Sequence, residues 1–156
     1  MFSNLLVIDI IKYIGFNLYK KITIDELSSV FHYNKDYIMR LFKKEIHMTI
    51  IQYINIKRIF NSLSQIRSTD YSILNIALNF GFYSQEYYCE VFHQIIGVSP
   101  TDFKLFLNHS NLLKEEDIYV IQDNISNIES IIRRITYYCS NTPPTSTVKV
   151  LSIFKK

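Results

Sequence analysis

The sequence predicts an all-α fold, and three observations support this prediction. Glycine and proline are scarce, with three of each in 156 residues. Apolar residues recur mostly at three- and four-residue intervals, which is the spacing of one face of a helix. Helix-capping sequences recur along the chain. Because 48% of the residues are hydrophobic and only 20% are charged, we expect one compact domain or two small ones rather than a disordered chain.

Predicted helix starts are marked by side chains that accept hydrogen bonds from the free amides of a first turn. These are Thr23, Asn34, Thr49, Ser84 and Ser99. Thr23 and Thr49 are each followed three residues later by Glu or Gln, the pattern of a capping box. Gly81 and Gly97 lie where helices should end. These signals predict helices over about 4–18, 24–31, 35–47, 50–66, 73–79, 85–96 and 100–107.

Two segments, about 24–47 and 73–96, each contain a short helix, a tight turn and a longer helix, which is the order of a helix-turn-helix. At an offset of fifty residues, caps and apolar positions of the two segments match. The matched pairs are Asn34 and Ser84, Tyr37 and Tyr87, Phe42 and Phe92, Ile46 and Ile96, Thr49 and Ser99, and Tyr53 and Phe103. A duplicated module is therefore predicted, with a turn one residue longer in the second copy.

The aromatic and apolar residues of these modules are interpreted as core rather than as platforms for stacking nucleic-acid bases. They are Tyr37, Leu41, Phe42, Ile46, Tyr53, Phe80, Phe82, Tyr88, Phe92 and Phe103.

Charge is distributed unevenly between the two halves. Residues 20–67 carry nine Lys and Arg against four Asp and Glu, whereas residues 68–107 carry one Lys against four Asp and Glu. A basic segment attracts polyanions, so the first module is predicted to be the electrostatic anchor.

Several classes of protein are not indicated. Cys89 and Cys139 are the only cysteines, which fits a reducing compartment. The four histidines lack metal-ligand spacing, and no phosphate loop or nucleophile elbow is present, so we expect no enzyme, metal or cofactor. No export signal or membrane span is read from the sequence, and a cytoplasmic, nucleoid-associated protein is expected.

Residues 73–104 contain Ala77, the turn Gly81-Phe82, the pair Tyr87-Tyr88, Phe92, the run Gly97-Val98-Ser99-Pro100, and Phe103-Lys104. At this spacing they resemble the signature of the AraC/XylS family of transcription regulators. Residues 40–45 and 52–54 resemble the family's first module. The resemblance covers about 6–104, and the remainder, 105–156, is treated as a C-terminal extension of unknown role.

The resemblance implies a stand-alone regulator of the MarA/SoxS/Rob type, with double-stranded DNA as partner and RNA polymerase as a contact during activation. It also implies that the helix at about 50–66 joins the modules rigidly. Two recognition helices would then enter successive major grooves about 34 Å apart, and the DNA would bend.

In the first recognition helix, the family's base-facing positions match Asp36, Met39 and Arg40. An arginine can donate two hydrogen bonds to guanine. The neighbouring residues expected to contact phosphates are Asn34, Lys35, Lys43 and Lys44.

In the second module, the corresponding DNA-facing set is Ser84, Gln85, Glu86, Cys89 and Glu90. Glu90 stands where related regulators often carry Arg. Two interpretations remain: Glu86 or Glu90 accepts from cytosine, or the second module docks weakly and the first supplies most of the affinity. We favour the second because no compensating Lys or Arg lies nearby.

A further departure is His32, which occupies the position of the family's turn glycine. If the backbone there is left-handed, histidine is tolerated at some cost. The first turn is therefore expected to be strained or differently shaped.

The extension contains isoleucines at helical spacing, from Ile121 to Ile135, then a predicted loop at 141–147 and a predicted short strand at 148–154. The isoleucines are expected either to pack the extension onto the domain or to mediate self-association or partner binding through 114–140. The latter, with an acidic second module, would indicate a regulator-interacting protein that no longer reads DNA. A ligand site in the extension is disfavoured.

Overall fold

The computed structural model describes residues 2–67, 70–108 and 114–140. Over these ranges the chain forms eight helices and no strand, which confirms the all-α prediction. The helices are α1 (Phe2–Asn17), α2 (Ile24–Phe31), α3 (Lys35–Ile46), α4 (Ile50–Ile66), α5 (Ile73–Asn79), α6 (Gln85–Ile96), α7 (Pro100–Asn108) and α8 (Glu115–Ser140). The loop and strand predicted at 141–147 and 148–154 lie outside the described residues.

Capping side chains begin most of these helices. The predicted box at Thr49 is complete, since Thr49 Oγ1 accepts from the Gln52 amide and Gln52 Oε1 accepts from the Thr49 amide. At Thr23 the hydroxyl accepts from the Glu26 amide. The Glu26 carboxylate, however, accepts a hydrogen bond from the Tyr13 hydroxyl, which ties α2 to α1 instead of closing a second box.

The turn of each module contains a left-handed residue, directly after α2 in the first and two residues after α5 in the second. His32, which ends α2, has φ 57° and ψ 37°. In the second module the left-handed residue is Gly81, with φ 83°. Three residues, 32–34, connect α2 to α3, whereas five residues, 80–84, connect α5 to α6, so the second turn is longer by two residues, where one was predicted. A left-handed L-residue costs about 1–2 kcal/mol, and the first module carries that strain.

Each module has its own hydrophobic core. The first-module core joins α1, α2 and α3 to the beginning of α4, and Leu27, Ile38 and Phe42 are fully buried in it. The second-module core joins the end of α4 to α5, α6 and α7, and Tyr88 and Phe92 are fully buried in it.

Two helices belong to both cores. In α4, Tyr53 and Ile54 lie in the first-module core, whereas Ile59 and Leu63 lie in the second. The long helix α8, which contains the isoleucine stripe, does the same. The buried isoleucines of the stripe are Ile121, Ile125, Ile128 and Ile132 in the second-module core and Ile135 in the first-module core. The stripe therefore packs the extension onto the domain, the first of the two expectations.

A buried arginine of α4 connects the modules by polar contacts. Arg58 is 8% exposed. Its Nε donates to the Leu18 carbonyl and its Nη2 to the Lys20 carbonyl, each at 2.7 Å, where α1 leads into α2. The guanidinium also lies 5.8 Å from the ring centroid of Phe82, in the turn of the second module. Arg58 thus holds one module's entry loop and the other module's turn together.

Candidate nucleic-acid interface

The residues predicted to face DNA in the first module lie on one exposed surface at the start and along one side of α3. Every one of them is exposed: Asn34, Lys35, Asp36, Met39, Arg40, Lys43 and Lys44. Positions three and four apart on a helix share a face, so Asp36, Arg40 and Lys43 point the same way. We call the seven exposed residues together the first reading surface.

Hydrogen bonds within the first reading surface decide which groups remain to contact a ligand. Asn34 Oδ1 accepts from the Asp36 amide at 2.8 Å and caps α3, so its Nδ2 is left to donate. Arg40 Nε donates to the Asp36 carbonyl at 3.3 Å, which turns the guanidinium toward the helix start. Lys35 pairs with Asp25 of α2, so part of its charge is compensated within the protein.

The second module presents a less basic surface. Gln85, Glu86 and Glu90 are exposed on α6, whereas Ser84 is half-buried and caps the helix by accepting from the Tyr87 amide at 3.1 Å. Glu90 Oε1 accepts from Gln94 Nε2 at 3.4 Å. The amide of Gln94 is exposed and uncharged, so this long hydrogen bond does not neutralise the carboxylate.

Cys89 differs from the other predicted residues of α6. It is half-buried and packs against the second-module core. Burial, and secondarily the charge of Glu86, raises the pKa of its thiol. A raised thiol pKa lowers the fraction of reactive thiolate, so Cys89 is poorly suited to sense oxidants.

A pair of stacked tyrosines flanks the start of each recognition helix, and the sequence analysis missed this feature. Tyr33 and Tyr37 stack at 5.5 Å between ring centroids, and Tyr83 and Tyr87 stack at 4.9 Å. Tyr83 is 79% exposed and Tyr37 is 39% exposed. The prediction that Tyr37 is a core residue was therefore wrong, because its ring stacks at the surface instead of entering the core. The fifty-residue repeat was the signal that could have found both pairs.

A cleft of about 420 Å³ lies between the modules beside the second tyrosine pair. It is lined by Lys21, Asn55, Arg58, Tyr83 and Tyr87 among others. Asn55 Nδ2 donates to the Tyr87 hydroxyl at 3.0 Å. Folding thus brings the exposed Lys21 of the first module to a cleft that the second module also lines.

Other kinds of site are not found in the part of the chain that the structure describes. No cluster of three or more His, Cys, Asp or Glu that could hold a metal ion occurs there. Within the same ranges, no helix combines the length and apolar character needed to cross a bilayer.

A family model described as a helix-turn-helix domain matches residues 27–105, which include both recognition helices. The chain belongs to the AraC/XylS family of DNA-binding transcription regulators. The family match ends before α8 begins.

Three bacterial transcription regulators are similar in sequence to this chain. The transcriptional activator AarP of Providencia stuartii is 27% identical over 104 residues, which are 67% of this chain and 77% of AarP. The regulatory protein SoxS of Escherichia coli K12 is 28% identical over 62% of this chain and 90% of SoxS. The regulator YbfP of Bacillus subtilis is 29% identical over 106 residues, which are 68% of this chain and only 36% of YbfP.

Solved structures share the fold. The DNA-binding domain of the global transcriptional factor AdpA, in complex with a target DNA, aligns with a TM-score of 0.59 and 16% identity over 67% of this chain and 96% of that domain. The C-terminal domain of AraT, a response regulator from Geobacillus stearothermophilus, aligns with a TM-score of 0.61 and 22% identity over 70% of this chain and 88% of that domain.

Proposed function

We propose that this chain binds DNA with both modules at once, placing α3 and α6 in two successive major grooves on one face of the duplex. The proposal rests on one repeated feature. Each recognition helix begins at an exposed end with a polar N-cap and a stacked tyrosine pair. A single chain would then span a site that other regulators cover with a dimer, and half-sites about 34 Å apart would require the DNA to bend.

In this proposal the first module supplies most of the affinity. The first reading surface carries Arg40, Lys43 and Lys44, all exposed. Arg40 is assigned to a guanine, with Asp36 and Met39 beside it as base-facing neighbours. Contacts from lysine to phosphate neutralise backbone charge and release counterions, which gives affinity without sequence choice. The amide of Asn34 and, more weakly, the paired Lys35 add to the phosphate contacts.

The second module is assigned a smaller share of the affinity. Two carboxylates on its surface, Glu86 and Glu90, repel phosphates unless one accepts from a cytosine amino group. Gln85 is the base-reading candidate of this module, with Ser84 and Cys89 at its edge. Lys21 and the hydroxyl of Tyr83 are assigned to the phosphates that pass the cleft between the modules, which partly offsets the two carboxylates.

Activation through RNA polymerase, in the cytoplasm and at the nucleoid, is the biological role we propose. The name of AarP as an activator supports it. The alternative of a regulator-interacting protein without DNA reading had two supports, an acidic α6 and a free isoleucine stripe. Since the stripe is buried within the chain, only the acidic helix still favours the alternative.

Selection of bound fragments from random DNA by the full chain, followed by footprinting, tests the proposal. We expect two protected half-sites about one helical turn apart on the same face. Arg40→Ala should lose about 1–3 kcal/mol of discrimination at one base pair. Lys43→Ala should weaken all sequences alike and reduce the slope of log affinity against log salt by about 1.

Arg134→Ala is the matched control, because this arginine is exposed and belongs to α8 rather than to either recognition helix. Equal affinity of the chain for all sequences, or protection of only one half-site, would contradict two-groove binding.

A further inference from the structure

The helix α8, which follows the family match, contacts the C-terminal end of both recognition helices. Asn124 Nδ2 donates to the Ile96 carbonyl at 2.8 Å, and Ile96 is the last residue of α6. Near its other end, the Tyr138 hydroxyl donates to Glu45 Oε2 at 3.3 Å, in the last turn of α3. Carbonyls at a helix end lack partners within the helix, so the contact from Asn124 completes the end of α6.

The contact with α6 is close. A Cβ added to Gly97, the left-handed residue that ends α6, would lie 3.0 Å from Asn124 Nδ2 and 3.1 Å from Val120 Cγ1. The turn after the recognition helix therefore has α8 directly against it. At the first module, Ile135 is 6% exposed in the core, and Tyr138 packs against the same core.

The two contacts lie on one side of α8. Fourteen residues separate Asn124 from Tyr138, which is close to four helical turns and corresponds to about 21 Å along the helix axis. The stripe from Ile121 to Ile135 anchors the helix between these contacts in both cores. Since α8 is one continuous helix, its length fixes the distance between the C-terminal ends of α3 and α6.

We propose that α8 is a brace that sets the separation and orientation of α3 and α6, and thereby determines which half-site spacing the chain accepts. This inference rests on the proposed two-groove binding. Asn124, Ile135 and Tyr138 act as positioning residues and do not touch DNA. Moving one half-site by one base pair shifts it by about 3.4 Å and rotates it by about 34°, and a braced pair of helices cannot follow such a change without deformation.

The test loosens one end of the brace in the full chain with the double variant Ile135→Ala/Tyr138→Phe. One matched control is Tyr137→Phe, since Tyr137 is 58% exposed on α8. A second control, Ile10→Ala, makes a similar cavity in the same core from α1 and leaves α8 intact. If the double variant does not fold, Asn124→Ala/Tyr138→Phe removes both polar contacts without making a core cavity.

Two measurements are made on each variant. The first is the distance distribution between spin labels at Lys44→Cys and Gln94→Cys, equivalent exposed positions of α3 and α6, with Cys89 and Cys139 replaced by Ser. The second is affinity for selected sites whose half-site spacing is changed by one base pair, measured without the labelling substitutions because Lys44 and Cys89 belong to the proposed DNA interface. The parent chain should lose about tenfold or more in affinity for the altered spacing, and the loosened variant about threefold or less.

The distance distribution should broaden only in the loosened variants. A distribution as narrow as that of the parent, or unchanged discrimination between spacings, would overturn the brace. Failure of the proposed function is distinguishable: the parent chain would then show no sequence-specific binding at all, while the spin-label distances would still report whether α8 holds the two helices.

Discussion

Replacement of Arg58 by Met should destabilise the whole chain, because this arginine is the buried polar contact between the modules. Methionine has a similar length but cannot donate a hydrogen bond. The variant would leave the carbonyls of Leu18 and Lys20 without the donors that now lie 2.7 Å away, and it would remove the cation that lies near Phe82.

The expected loss follows from these contacts. A hydrogen bond to a charged group contributes about 1.5–3 kcal/mol, and Arg58 makes two of them. Burial lowers the pKa of the guanidinium, since the charged form loses solvation, and this cost offsets part of the gain. We therefore expect a net loss of about 3 kcal/mol, or a decrease in Tm of about 6–12 °C for a protein of this length.

Urea and thermal unfolding of the full chain measure this change. Arg58→Lys should be intermediate, since one ammonium group is expected to reach only one of the two carbonyls. Arg67→Met is the matched control, because Arg67 is exposed at the end of the same helix, and a loss within about 0.5 kcal/mol is expected there. A loss below about 1 kcal/mol for Arg58→Met would refute the inference that this contact stabilises the junction.

Four further predictions follow from other residues. Glu90→Gln should tighten DNA binding at every sequence, by about twofold to tenfold, because it removes a negative charge beside phosphates. An unchanged affinity in a DNA-binding titration would indicate that α6 stays away from the DNA backbone. Tyr83→Phe should weaken binding by about 0.5–1.5 kcal/mol if the hydroxyl donates to a phosphate, whereas Tyr119→Phe, at an exposed tyrosine of α8, should leave affinity unaltered. His32→Gly should raise the free energy of unfolding by about 0.5–1 kcal/mol. Gly81→Ala should lower the free energy of unfolding, since φ of Gly81 is 83° and a Cβ would lie 3.1 Å from Arg58. Equal effects of the two substitutions would argue against a left-handed residue in both turns. Glu129 is 5% exposed, and its Oε1 has no hydrogen-bond partner among the described residues. Burial raises the pKa of its carboxyl group, partly opposed by the charge of Arg133. Its protonated form is therefore favoured by folding, so stability should fall as pH rises from about 4.3 through the raised pKa, and Glu129→Gln should remove that fall in urea titrations at several pH values.

The helices were predictable because their signals are local. Caps at Asn34, Thr49 and Ser84 and the stop at Gly97 act within one or two turns, and α1 to α7 begin and end within about two residues of the predictions. The left-handed backbone of His32 agrees with the conditional expectation drawn from the family's turn glycine at that position.

What the sequence left open depends on contacts between distant segments. Periodicity identifies the isoleucine stripe but not its partner, and only the fold shows that α8 packs on both cores. Lys21 is distant from α6 in sequence and lies beside its tyrosine pair in space. Tyr37 has the spacing of a core residue, yet it is 39% exposed and stacks on Tyr33. Of the candidate DNA-facing residues, most are exposed as that role requires, while the contacts themselves depend on a partner outside the chain.

The sharing of α4 between the two cores has a consequence for how the protein unfolds. If either half unfolds, α4 loses part of the surface on which it packs, and the other half, which also packs on α4, is destabilised. The same holds for α8. The two helix-turn-helix units are therefore expected to behave as one cooperative unit, with a single transition by every probe. A substitution deep in one half would then lower the population of intact binding surface in both, so that loss of stability and loss of regulation would occur together.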